Sequence, residues 1–238
     1  MFLSRLVLNP RSRAVWRDLA DCHSLHRTVM SAFPEVPGDA AREQLGVLYR
    51  LDARGSAGAL EVLVQSKAEP DWSGLPPDYL LQDPGCKDVS GAYRALKGGE
   101  VLRFRITANP TRKVDTMSGP NGQRRNGRRV ELRSDEERLA WLQRKAERGG
   151  FELLSVRAGP VPDVRMVPGA RLSGWRDDRH HESTRRRMTF CPVTFEGHLR
   201  VVDPAVFRET LAAGIGPAKA FGFGLLSVAP AVRLAGLP

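Results

Sequence analysis

Val101-Leu102-Arg103-Phe104-Arg105-Ile106-Thr107-Ala108 alternates large apolar side chains with Arg103, Arg105 and Thr107. A period of two over this length is the signature of a half-buried strand, here with a basic outer face. Upstream, Phe2 to Leu8 reads as a buried first strand ended by Asn9-Pro10. Arg11 to Leu19 fits a short helix or a loop. Asp21 is a good N-cap for a helix from Cys22 to about Phe33, closed by Pro34. Gly46 to Leu51 and Leu60 to Ser66 form a candidate hairpin, and the Pro-rich stretch from Pro70 to Gly91 leaves room for a second helix. With strand 101–108 closing it, the order β-α-β-β-(α)-β over residues 1–110 is that of a ferredoxin-like unit.

Downstream, Thr111 to Arg133 is a Gly/Asn/Arg-rich excursion holding Lys113, Arg124, Arg125, Arg128 and Arg129, and it leads into a strand from Arg129 to Leu132. Ser134 and Glu137 make a capping box for a helix to Arg148, stopped by Gly149-Gly150. Phe151 to Arg157 reads as a strand. Val161 to Arg187 is broken by Pro and Gly and is again basic. Met188 to Phe195 and His198 to Val202 read as a hairpin turning at Glu196-Gly197. Asp203-Pro204 supplies N-cap and N1 for a helix to about Ala213, with Gly214 as its stop.

The loop that follows, Gly214 to Gly224, carries four glycines and one lysine, Lys219, before the apolar run Leu225 to Val228. Glycine at this density implies positive φ or close approach of a partner to the main chain. It is not a P-loop, since no Gly-Lys-Ser/Thr closes it, and its helix-loop-strand order is the reverse of a dinucleotide fingerprint. Exposed N–H groups beside Lys219 would suit a phosphate backbone.

Charge is distributed unevenly. The 238-residue chain has 37 Lys/Arg and 27 Asp/Glu, a net of +10; residues 1–100 hold 12 against 13, and residues 101–238 hold 25 against 14. A one-sided basic field favours a polyanion with salt-dependent affinity. No apolar run approaches the ~18 residues of a membrane span, and Arg5 interrupts the only apolar stretch at the N-terminus, so a cytoplasmic protein is expected. Cys22, Cys86 and Cys191 are too scattered for a disulfide framework or paired metal ligands.

Histidines mark the candidate chemistry. His23 and His26, at i and i+3, share one helix face with Cβ atoms about 5–6 Å apart. Cleaving RNA without a metal needs a base for the 2′-OH, an acid for the 5′-oxygen and cations for the phosphorane. Two histidines and Arg27 could supply these. A surface helix with two solvated histidines fits the spacing equally. A Cys22–His26 nucleophile lacks any oxyanion donor, and the adjacent His180-His181, among many arginines, makes a poor metal site.

Gly214-Ile215-Gly216-Pro217-Ala218-Lys219 with Gly222-Phe223-Gly224-Leu225-Leu226-Ser227-Val228-Ala229-Pro230 closely resembles the C-terminal glycine-rich loop of the CasE family. These are RAMP-superfamily endoribonucleases that mature CRISPR RNA in type I-E systems. Met1 to Leu8, the segment around His26, Phe104 to Pro110, Ala140 to Arg144 and Val193 to Gly197 are similar as well. The resemblance implies an α+β protein of two tandem ferredoxin-like (RRM-like) domains. Residues 1–110 would carry the histidine helix, and residues 111–238 the basic arms and the glycine loop. It places His26 at the family's catalytic histidine, while His23 stands where the family usually has tyrosine, which leaves the partner's role open. It implies metal-independent cleavage of a CRISPR repeat hairpin at the 3′ base of its stem, leaving a 2′,3′-cyclic phosphate and a 5′-OH. It further implies no cofactor and retention in the Cascade complex. The expected RNA contacts are Arg27, Lys113, Arg128, Arg129, Arg171, Arg176, Arg185 and Arg186, with Gly214, Gly216, Lys219, Gly222 and Gly224. A non-catalytic RNA-binding subunit is the alternative.

Overall fold

The computed structural model describes residues 1–37, 40–54, 59–114, 128–155, 159, 162–177 and 185–231. In chain order the first elements are β1 (Phe2–Val7), α1 (Arg13–Ala20), α2 (Cys22–Met30), α3 (Ala41–Gln44), β2 (Leu48–Arg54), β3 (Ala59–Ser66), β4 (Gly85–Asp88) and α4 (Ser90–Arg94). Their sheet runs β2-β3-β1-β4, antiparallel throughout, which is the ferredoxin-like order. The stretch from Pro70 to Gly91 holds only a 3₁₀ turn, Trp72–Gly74, and then β4, before α4 begins at its end. Its prolines remove the N–H donors a longer helix needs.

The remaining elements are β5 (Val101–Ala108), β6 (Thr111–Val114), β7 (Arg128–Glu131), α5 (Asp135–Arg148), β8 (Phe151–Leu153), β9 (Val164–Pro168), β10 (Leu172–Asp177), β11 (Arg185–Phe190), β12 (Val193–Val201), α6 (Pro204–Ala213) and β13 (Ser227–Pro230). A second sheet runs β13-β5-β12-β8, with β9 also on β12. Counting β8 and β9 as one position, it repeats the strand order of the first. The fold is α+β with two ferredoxin-like units.

The alternation in Val101–Ala108 is real: Leu102, Phe104, Ile106 and Ala108 are buried, while Arg103 is exposed. Its partners differ from the expectation, since β5 pairs with β12 and β13 and opens the second sheet instead of closing the first. The fourth strand of the first sheet is β4. Alternation reports which face is buried but not against what. The expected hairpin at Glu196-Gly197 is also corrected, because β12 runs straight through both residues. A Cβ on Gly197 would lie 2.9 Å from the Asp163 carbonyl oxygen and 3.2 Å from the Phe104 ring. This glycine therefore serves close packing within a strand, not a turn.

Two further hairpins stand apart from the sheets, β6–β7 and β10–β11. Their bases are tied together: the Cys191 thiol donates to Glu131 at 2.6 Å, and Arg171 lies 3.7 Å from the same carboxylate. A partly buried ion network joins the two units. Arg50 and Asp52 on β2 pair at 2.9 Å, and Arg105 on β5 reaches Asp52 at 3.2 Å and Glu196 at 3.1 Å. Arg50 also donates to the Leu225 carbonyl and to Ser227, both just after the glycine loop and in the second unit.

Candidate active site

Helix α2 starts where Asp21 caps it, the carboxylate accepting from the His23 N–H at 3.0 Å. Capping of this kind is worth about 1 kcal/mol and fixes the register of the first turn. Leu25 and Val29 face the first core, and His23 and His26 look the other way with ring centroids 6.4 Å apart. The His26 ring sits 6.5 Å from Tyr49 on β2 and 6.3 Å from Phe221 in the 3₁₀ turn Lys219–Phe221. The helix from the first unit and the glycine loop from the second thus meet at His26.

The loop's backbone explains its glycines. Gly214, Gly216, Gly222 and Gly224 all have positive φ, and Ala218, at φ 65°, is the non-glycine residue that joins them there. Gly222 also lies against Tyr49, where a Cβ would be 3.1 Å from the ring. The Tyr49 hydroxyl donates to the Ala220 carbonyl at 2.9 Å, pinning the loop to β2. Burial, then the nearby Cys22 and Tyr79, raise the Tyr49 pKa far above the ordinary phenol range, so it acts as a neutral donor.

His26 is half-buried, and its Nδ1 is enclosed with no hydrogen-bond partner among the described residues. Nε2 is then the nitrogen left to meet a substrate. Desolvation, followed by His23 and Arg42, lowers its pKa to about 4. In the free protein the imidazole is therefore neutral at pH 7. An incoming phosphodiester would oppose these influences by supplying negative charge. Burial, then Asp21, pushes the Cys22 thiol up to about 11, which keeps it protonated and unsuited to nucleophilic work.

Cations complete the site. Arg42 on α3 donates to the Val47 carbonyl at 3.0 Å, and burial lowers its pKa. Lys219 is half-buried, its pKa lowered by burial and then by Arg42. Arg27 is exposed one position beyond His26 and donates to Ser24 at 3.3 Å. Arg42 and Tyr49 carry no local sequence signal; the fold alone brings them to His26.

The hairpin β10–β11 leans on the start of α2. A Cβ on Gly174 would fall 2.6 Å from the Cys22 sulfur, so only glycine permits that approach. Phe190 at its base lies 5.0 Å from Phe221 and 5.6 Å from Phe223. Arg176 pairs in register with Arg186, and Asp177 with Arg185, which places a basic arm beside the histidine helix. Trp175, opposite Arg187, is exposed on it, an aromatic the charge pattern did not single out. On the other hairpin, Lys113 is opposite Arg129 and Val114 opposite Arg128. Arg124, Arg125, Arg179, His180 and His181 lie outside the described residues. Among the described residues no three His, Cys, Asp or Glu side chains converge on one point. The histidines, Arg27, Lys219 and the loop glycines are thus brought together, whereas Lys113, Arg128, Arg129 and Arg171 belong to the flank defined by β6–β7.

Comparison with known proteins gives concordant matches. The family model described as CRISPR associated protein matches residues 1–230. The CRISPR-associated endoribonuclease Cse3 of Thermus thermophilus is 39% identical over 230 residues, covering 97% of this chain and 100% of that protein. The Cascade subunit CasE of Escherichia coli is 29% identical, again over 97% and 100%. A structure of Thermus thermophilus Cse3 bound to an RNA representing a pre-cleavage complex superposes with a TM-score of 0.71 at 38% identity, covering 96% of this chain and 98% of that one.

Proposed function

This chain belongs to the CRISPR associated protein family, and from that premise we propose that it is a CRISPR-RNA-processing endoribonuclease. It binds the stem-loop of the CRISPR repeat and cuts at the 3′ base of the stem. The observation that carries the reading is the pair His23 and His26, 6.4 Å apart, set against a glycine loop and flanked by Arg42 and Lys219. That spacing lets two imidazoles address opposite sides of one phosphodiester. One takes the proton of the 2′-OH as its oxygen attacks phosphorus; the other protonates the departing 5′-oxygen. The products are a 2′,3′-cyclic phosphate and a 5′-OH. Arg42, Lys219 and the loop N–H groups stabilise the extra charge of the phosphorane. The chemistry needs no metal, because each role has a side chain to fill it.

The arms β6–β7 and β10–β11 grip the stem through phosphates, recognising an A-form helix by shape and charge. The division of labour follows the sheets: residues 1–88 hold the chemistry and residues 101–231 most of the grip, so the boundary between the two units falls in the segment around α4 rather than at residue 110. After cleavage the protein stays on its RNA as a subunit of a Cascade-type complex in the cytoplasm. No helix among the described residues is long and apolar enough to cross a membrane.

End-group analysis tests the reading. The protein is incubated with a repeat hairpin in excess EDTA, and both fragments are examined by mass spectrometry. A single cut with a cyclic phosphate on the upstream fragment is expected. Fragments ending in 3′-OH and 5′-phosphate, or cutting that requires added metal, would contradict it.

A further inference from the structure

Beside the glycine loop, between β6–β7 and the end of α5, lies a cleft of about 380 Å³. Its walls bring four cations from three different segments: Arg129 on β7, Lys145 and Arg148 on the last turns of α5, and Lys219 on the loop. Two hydroxyls, Thr111 and Thr210, share the lining, and no carboxylate does. None of the four cations makes an ion pair among the described residues; Arg129 only donates to Thr111 at 3.4 Å, and Lys145 lies 6.0 Å over the Trp141 ring.

Four like charges converging with no ion pair among the described residues repel one another in the resting protein. Burial, then Arg148, Arg129 and Arg144, lower the Lys145 pKa, and Lys219 is lowered by burial, by Arg42 and by Lys145, with Glu43 outside the lining opposing them. The helix dipole at the end of α5 compensates only its own last turn. It does nothing for Arg129 or Lys219. The floor is open main chain: Gly214 and Gly216 have φ of 73° and 86°, and a Cβ on Gly216 would meet the Trp141 ring at 3.1 Å. A site with donors on several walls, hydroxyls between them and no carboxylate in its lining is shaped for a phosphoryl group.

We propose that this cleft seats one backbone phosphate of the bound RNA, beside the glycine loop, with Lys145 and Arg148 among its donors. This rests on the reading of the protein as an RNA-processing enzyme and adds a fixed point to it. Lys219 lines the cleft and Phe221 touches His26, and two residues of chain span at most about 7 Å. A phosphate held here therefore sets how far the strand can slide past the histidines.

The test uses the full chain and a repeat hairpin made uncleavable by a 2′-deoxy sugar at the scissile position. Each backbone phosphate is replaced in turn by a neutral methylphosphonate, and Kd is measured for wild type and for Lys145→Ala/Arg148→Ala. The double variant is expected to bind roughly tenfold or more weakly, with a salt slope smaller by about 1. At one linkage the neutral replacement should weaken wild type but leave the variant unchanged. The thermal midpoint of the variant should stay level or rise, because repulsion is relieved. Lys87→Ala/Arg94→Ala, which removes two exposed charges elsewhere, should show no such linkage. If every linkage weakens both proteins alike, the cleft only adds to a diffuse field and the proposal is wrong. A fall in the variant's midpoint would overturn it too, by showing that the cations stabilise the fold. A wild type that does not bind the repeat at all overturns the functional reading as well, and is told apart because it appears before any substitution.

Discussion

In the first unit the sheet β2-β3-β1-β4 supports a helix bearing two histidines, in a stretch of sequence with 12 Lys/Arg against 13 Asp/Glu. In the second, β13-β5-β12-β8 supports two hairpins and a glycine loop, and residues 101–238 hold 25 against 14. The strand order is the same and the load is different. Proton transfer needs imidazoles in a shielded place, and a denser basic field there would drive the already lowered His26 pKa down further. Holding a polyanion needs that field. Keeping the two on separate sheets, and letting them meet where the histidine helix and Tyr49 face the glycine loop, serves both needs.

The largest way to break this arrangement is at the joint. Asp52 accepts from Arg50 and Arg105 across the two sheets. Asp52→Ala should cost about 3 kcal/mol, which for a chain of this size lowers the thermal midpoint by roughly 10 °C. Calorimetry checks it; an unchanged midpoint would mean the units are held by apolar packing alone.

A pH series sharpens the contrast on the first-unit side. His26 has a folded pKa of about 4, below its value of about 6.5 in an unfolded chain. Between these pH values the unfolded state binds more protons, so the stability held by neutral His26 is full above pH 6.5 and lost as pH falls to 4. For a half-buried ring this amounts to about 2 kcal/mol. His26→Gln should gain relative to wild type on going from pH 7 to pH 4, as read from denaturant midpoints. A constant difference would show that the ring is not shielded.

Tyr49→Phe probes the contact between the units with one atom. Losing the bond to Ala220 should cost about 1 kcal/mol, or roughly fivefold in single-turnover cleavage, with RNA affinity little changed. An equal loss in affinity would place Tyr49 in binding. The smallest effect belongs to Arg200, paired with Glu152 at 2.7 Å on the exposed edge of the second sheet. Arg200→Ala should shift stability by no more than about 0.5 kcal/mol and leave affinity within twofold, showing that location and not total charge matters.

Much of this was legible beforehand, for local reasons. Asp21, the Ser134–Glu137 box and Asp203-Pro204 each mark a helix start through a hydrogen bond the sequence itself encodes, and all three are made. The alternation of Val101–Ala108 named the buried face correctly. What it could not name was the partner strand, because β12 lies some ninety residues away and pairing depends on the whole sheet. Gly197 read as a turn because its reason for being glycine, the Phe104 ring and the Asp163 carbonyl, is non-local. The same holds for the site. Spacing put the histidines on one helix face and the family resemblance singled out His26, whereas Arg42, Tyr49, Lys145 and Arg148 acquire their places only when separate segments converge.

The most direct measurement is cleavage and binding of a CRISPR-repeat hairpin, side by side, by wild type and His26→Ala in excess EDTA. The account predicts a single cut by wild type, and a loss of roughly 10²–10⁴ in rate for the variant with Kd unchanged within about threefold. Cleavage by the variant at the wild-type rate, or tight binding by both with no cut by either, would contradict it.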